Sequence, residues 1–137
     1  MRTWGEASQR VYNTLDPRLQ RLVTRIRDEV CDIRLLYGYR TQDEQNLMYA
    51  TGRSKLQYPH SKHNRIPSLA VDITTTPVNL KAAKLREELS YIAGAAQYIA
   101  KEEGFQIRWG GDWDRDGDLD DNTFDDLFHF EIHGGNT

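Results

Sequence analysis

Apolar residues recur at helical spacing in two long stretches of the chain. Asp16-Pro17 supplies an N-cap followed by a proline at the first helical position, and Leu19, Leu22, Val23, Ile26 and Val30 then mark one face of a helix over about 17–30. Leu85, Leu89, Ile92, Ala96 and Ile99 form the stripe of a second helix over about 80–103, closed by Gly104. Between them, Thr41 and Glu44 have the spacing of a capping box and open a shorter helix that runs through Leu47 and Met48 to Gly52. Four short segments read as strands instead. They are 33–37 ending at Gly38, 69–73 (LAVDI), 105–109 (FQIRW) and 127–132, the last with Phe128, Phe130 and Ile132 on one face and His129, Glu131 and His133 on the other. Residues 53–68 are polar, carry two prolines and show no period, so they form a long loop of the kind that often carries function. The sum is a single small α+β domain spanning 1–137, its helices packed on an antiparallel or mixed sheet.

Composition narrows the chemistry. With 137 residues, 38% of them hydrophobic, the chain can bury one core but not two. Its 18 basic and 21 acidic residues give a charge of −3 without a basic cluster, which argues against nucleic-acid binding. A single cysteine, Cys31, forbids an internal disulfide and any metal site built on paired thiolates. It follows an apolar helix face and reads as a small core residue rather than a nucleophile. No apolar run is long enough to span a membrane, and the start MRTWGEASQR lacks the apolar stretch of a signal peptide, so synthesis in the cytoplasm without membrane insertion is expected.

Any metal must therefore be held by imidazole and carboxylate. His63 in the loop, Asp72 in the strand that follows it and His129 in the last strand form one candidate set for zinc, with a fourth position open to water. Residue types alone leave the choice open. Four histidines can be grouped in several ways, His60 and His133 are rival ligands, and histidines in polar segments are often only surface residues.

The motifs reduce that freedom. SKHNRIPSLAVDI and the later DDLFHFEI resemble the paired signature of the LAS-type zinc peptidases, in the branch of VanY-like D,D-carboxypeptidases and bacteriophage L-alanyl-D-glutamate endolysins. GYRTQDEQNLMYATGRS is similar to that family's GYRT-plus-Gln helix, and RWGGDWD to its Gly-Asp-Trp segment. The resemblance covers about residues 37–132 in the family's order, and it implies that His63, Asp72 and His129 are the zinc ligands. It further implies that Asp126 is the catalytic base that moves a proton from water to the leaving amine, and that Arg40 binds a substrate carboxylate or the oxyanion. His63 and Asp72 enclose eight residues, including Pro67, more than most relatives; the excess is expected to bulge outward without displacing either ligand. His133 would line the cleft by sharing a strand face with His129, while Trp109 and Trp113 would either wall the cleft or fill the core.

A second metal site is suggested by DWDRDGDLDDNT, residues 112–123. Asp112, Asp114, Asp116 and Gly117 take the first, third, fifth and sixth positions of an EF-hand-like calcium loop, and Leu119 takes the eighth. Thr123 stands where a bidentate glutamate belongs, so Asp118, Asp120, Asp121 or water must complete the coordination. The loop immediately precedes Asp126 and His129, which suggests calcium regulation of the zinc site.

The resemblance implies a monomeric endolysin with zinc and calcium as cofactors, cleaving the L-Ala–D-Glu bond of peptidoglycan stem peptides. It would wait in the host bacterial cytoplasm until a holin-type membrane protein admits it to the periplasm. A D,D- or L,D-carboxypeptidase with the same metal centre, or a wall-binding module that keeps zinc but not turnover, are the alternatives.

Overall fold

A computed structural model describes residues 2–76, 82–117 and 126–134. In chain order the elements are α1 (Glu6–Tyr12), α2 (Pro17–Glu29), β1 (Ile33–Tyr37), α3 (Gln42–Ala50), a 3-10 turn (Lys62–Asn64), β2 (Ala70–Thr75), α4 (Ala82–Glu103), β3 (Gln106–Gly110) and β4 (Asp126–His133). The expected helices and strands are present within a few residues of their predicted ends. Helix α1 is the addition: it is only seven residues long, its one buried residue is Ser8, and so it lacks the apolar stripe that announces α2 and α4.

Both predicted caps are made. Asp16 accepts a hydrogen bond from the Arg18 amide ahead of Pro17, and at α3 the Thr41 and Glu44 side chains bond reciprocally to each other's backbone amides. The strands form one antiparallel sheet in the order β1-β2-β4-β3. On one face Ile33, Leu35, Val71, Ile73, Phe130, Ile132, Ile107 and Trp109 are buried in a core completed by Leu19, Leu22, Val23 and Ile26 of α2 and by Leu89, Ile92, Ala96 and Ile99 of α4. β2 is central and buried along nearly its whole length. Strand alternation therefore drives Val71 and Ile73 into that core and leaves Asp72 on the opposite face, a costly position for a carboxylate unless charged partners meet it there.

The register brings those partners. β2 and β4 pair so that Asp72 stands opposite His129 and Ala70 opposite Glu131, while β3 places Arg108 opposite Glu131. The β3–β4 ladder then breaks: Trp109 pairs with Phe130, but Gly110 pairs with Asp126, so four residues of β4 are passed for one of β3. Such a bulge reorients side chains beside it. Phe128, on the same face as Phe130 by strand alternation, is half-buried: it packs against the edge of the core and also lines the cleft. The crossing needs a glycine, because a Cβ at Gly110 would lie 2.0 Å from the Asp126 carbonyl oxygen.

Candidate active site

The cleft over the polar face of the sheet has a volume of about 680 Å³. β1 and the segment after it contribute Leu36, Tyr37 and Arg40, and the long loop contributes Arg53 to Leu56 and His60 to His63. The floor is Asp72, His129 and Glu131, with Asp126 and Trp113 at the far side. His63, placed in the loop by its sequence, lies in the 3-10 turn whose cap is the Ser61 hydroxyl accepting from the His63 amide. The loop's excess length goes outward, as expected: Ile66 is 80% exposed.

Three ligand atoms converge at the floor. His63 Nε2 and His129 Nδ1 are 3.1 Å apart, and each is 3.3 Å from Asp72 Oδ1. Atoms bound tetrahedrally to zinc at about 2.0–2.1 Å are separated by about 3.3–3.4 Å, so this triangle has the dimensions of one face of a zinc site. The far nitrogen of each ring is engaged elsewhere. His63 Nδ1 donates to the Gly38 carbonyl at 2.7 Å, and His129 Nε2 donates to Glu131 Oε1 at 2.8 Å. With those protons committed, two nitrogen lone pairs and a carboxylate oxygen point at one another in a buried site. Only a cation relieves that arrangement, and the residues present fit a zinc ion.

Electrostatics agree with the geometry. Burial alone would raise the Asp72 carboxyl, but the His63 and His129 rings beside it hold it well below the ordinary carboxylate range. Burial would lower His129, yet the hydrogen bonds it donates to Asp72 and Glu131 push it up to about 10, and Glu131 is correspondingly held down to about 2 against its own burial. Before a metal enters, a proton on His129 is thus the cation of the site. Asp126 behaves oppositely: burial, reinforced by the negative charge of Asp72, raises its carboxyl, the direction suited to a group that accepts a proton near neutrality.

Arg40 is buried against the triad rather than free in the cleft. Its Nη2 lies 3.7 Å from Asp72 Oδ2, its Nη1 donates to Gln45 Oε1 at 3.0 Å, and its amide donates to the His63 carbonyl at 2.8 Å. Gln45 is 0% exposed and uses both ends, since its Nε2 donates to Ser54 Oγ and to the Leu56 carbonyl at 3.0 and 2.7 Å. One amide therefore couples Arg40 to the rim of the cleft.

Of the rival ligands, His60 is exposed on the cleft rim and His133 is absent from the lining, so the expectation that His133 faces the cleft is corrected. His133 lies beyond Glu131 at the end of β4, opposite Gln106, where the ladder has left the cleft behind. The tryptophans divide: Trp109 is in the core, 6.4 Å from the Phe130 ring, whereas Trp113 walls the cleft, 5.4 Å from the His129 ring. Cys31 is half-buried, and that burial raises its thiol pKa, as suits an inert side chain. Two participants were not assigned from sequence. Glu131 was visible on the His129 face of the last strand, but nothing in the spacing showed that it bonds to the ring. Gln45 lay within a recognised motif, yet its bonds to Ser54 and Leu56 depend on a loop without periodicity.

The acidic loop also gathers. Ligand oxygens of Asp112, Asp114 and Asp116 lie within 4.8 Å of one another. Asp112 is 6% exposed and, among the described residues, its Oδ1 has no hydrogen-bond partner, while its Oδ2 accepts from the Gly117 amide at 3.0 Å. Gly117 has φ +82°, the left-handed turn expected at the sixth position of such a loop. Desolvation, then contact with Asp116, raises the Asp114 carboxyl, the sign of crowded negative charge. Asp118, Leu119, Asp120, Asp121 and Thr123 lie outside the described residues.

A family model described as phage L-alanyl-D-glutamate peptidase matches residues 2–133. Among solved structures, the crystal structure of the L-Ala D-Glu endopeptidase ChiX of Serratia marcescens is similar, with a TM-score of 0.72 and 24% identity over 93% of this chain and 87% of that one. At that identity the likeness speaks for the fold. No curated protein matches the chain.

Proposed function

Because the chain belongs to the phage L-alanyl-D-glutamate peptidase family, we propose that the His63–Asp72–His129 triangle holds zinc and that the cleft above it hydrolyses the amide between L-Ala and D-Glu in peptidoglycan stem peptides. The observation that carries this reading is the spacing of the three ligand atoms, 3.1–3.3 Å apart with both far ring nitrogens already committed. Bound zinc supplies Lewis acidity toward the scissile carbonyl and toward a water molecule.

The chain's own residues do the rest. Asp126 faces the cleft without joining the ligand triangle, and its raised pKa equips it to take a proton from the attacking water. Water's oxygen adds to the carbonyl carbon. Asp126 then returns the proton to the departing nitrogen as the C–N bond breaks, leaving an alanine carboxylate and a glutamyl amine. Arg40, fixed by Gln45 and Asp72, directs its guanidinium at negative charge that develops over the floor. The open cleft suits an extended peptide, and access to the wall through a holin-type partner follows from the same family reading.

We also propose calcium at Asp112, Asp114 and Asp116, supported by the buried Asp112 Oδ1, which has no hydrogen-bond partner among the described residues. Trp113, between the first two of these ligands, lies against His129. Filling the loop would steady the wall of the cleft.

Digestion of purified peptidoglycan by the zinc-loaded protein, followed by mass spectrometry, tests the reaction. Released peptides beginning with D-Glu and glycan left carrying L-Ala are expected; release of single D-Ala residues instead would establish a carboxypeptidase.

A further inference from the structure

Behind the metal triangle lies a second cluster of charge for which the reaction has no direct use. Glu131 is 5% exposed, and its carboxylate is shared among three donors. Oε1 accepts from His129 Nε2 at 2.8 Å, while Oε2 accepts from Arg108 Nη2 at 2.9 Å and lies 3.3 Å from Lys62 Nζ. Lys62 precedes the ligand His63 in the chain and also donates to the Ile132 carbonyl. The Arg108 guanidinium lies 5.4 Å from the Trp113 ring, which in turn lies against His129.

We infer that Glu131, gripped by Lys62 and Arg108, is the positioning residue that keeps the His129 proton on Nε2 and so reserves Nδ1 for the metal. The inference rests on the zinc reading above. Either imidazole nitrogen can carry the proton in a neutral ring, and the choice is made by whatever the non-ligand nitrogen meets. A carboxylate can only accept, so it forces a proton onto Nε2. Two cations on its other oxygen leave it no freedom to turn away. The same clamp joins the ligand-bearing loop to β4, so one side chain sets the orientation of His129 and steadies the approach of His63.

An isosteric change separates this role from packing. In Glu131→Gln one oxygen must serve donors on both sides. Lys62 and Arg108, being charged, take it, which turns the amide nitrogen toward His129 Nε2. That nitrogen must then accept, and the proton is driven to Nδ1, the ligand atom. The expected result is zinc affinity ten- to a hundredfold weaker in E131Q, measured by competition with a chromophoric chelator, despite unchanged side-chain volume. In zinc-saturated protein, nitrogen NMR of the imidazoles should show His129 protonated at Nε2 and metal-bound at Nδ1 in the wild type, with that pattern lost or mixed in E131Q. Glu131→Ala, which removes acceptor and rival donor together, should weaken zinc binding less than E131Q. Wild-type affinity in either variant, or an unaltered His129 pattern in E131Q, would overturn the inference. Failure of the wild type itself to bind zinc would overturn the zinc reading instead.

Discussion

Asp72 and His129 stand opposite each other in the β2–β4 ladder, with Asp72 Oδ1 and His129 Nδ1 3.3 Å apart. Two of the three candidate metal ligands are therefore set by strand register, the least adjustable feature of a sheet with one face in the core. A slip of one residue would turn both toward the hydrophobic side. His63 alone arrives from irregular chain.

Removing a member of this triangle should remove the ion. Asp72→Ala is expected to purify with less than about a tenth of the zinc of the wild type, and to lose hydrolysis by about a thousandfold or more. Metal analysis alongside an activity assay checks both.

Asp126→Asn should behave differently, because Asp126 lies outside the triangle. It is expected to keep its zinc but lose about 10²–10⁴ in kcat. In the wild type the raised Asp126 pKa places the acid limb of the activity profile above the ordinary carboxylate range of about 4. Activity should fall as the pH drops through that limb.

The stability of the metal-free protein carries a pH signature of its own. His129 is raised to about 10, so protonation stabilises the fold fully below about pH 6.5, the ordinary imidazole value, and the benefit is lost as pH rises toward 10. Glu131, held down to about 2, contributes above its ordinary value and loses that contribution as pH falls toward 2. Thermal melts of chelator-treated protein should therefore give a higher Tm at pH 6 than at pH 9. Zinc bound at the triangle would displace only the Nδ1 proton of His129, leaving the Nε2 proton donated to Glu131, so loading should narrow the difference.

Gln45→Ala should reveal how Arg40 is held. The change removes the acceptor of the buried Arg40 Nη1, while Ser54 and Leu56 lose the Gln45 amide but keep their hydrogen bonds to each other. A loss of about 1–3 kcal/mol in stability is expected, chiefly from Arg40. A higher KM at an unchanged zinc content should accompany it, read from chemical denaturation and steady-state kinetics.

Calcium, if it fills the acidic loop, must be visible to Trp113. Adding calcium to zinc-loaded protein should change tryptophan emission and raise activity, and both responses should vanish in Asp114→Ala. Trp113→Phe should lose the optical signal while Asp112, Asp114 and Asp116 still bind the ion.

Much of this was legible in the amino acids, and the reasons are uneven. α2 and α4 bury long apolar stripes, so periodicity found them. β4 alternates, so His129 and Glu131 were placed on one face. The bulge opposite Gly110 was not legible, because its cause is an approach of two backbones rather than a side-chain pattern. His63 was reached through a motif alone. Its position depends on bonds to Gly38 and Arg40, which are distant in sequence and leave no periodic trace.

Each corner of the metal triangle is braced from behind by a bond in which the ion takes no part: Gly38 behind His63, Glu131 behind His129, Arg40 beside Asp72. The hydrophobic core lies on the other side of the sheet. Unlike a small finger domain that collapses when stripped, this fold does not hang on the proposed zinc, so loss of function on chelation should be reversible by simple dialysis against zinc, with no refolding step.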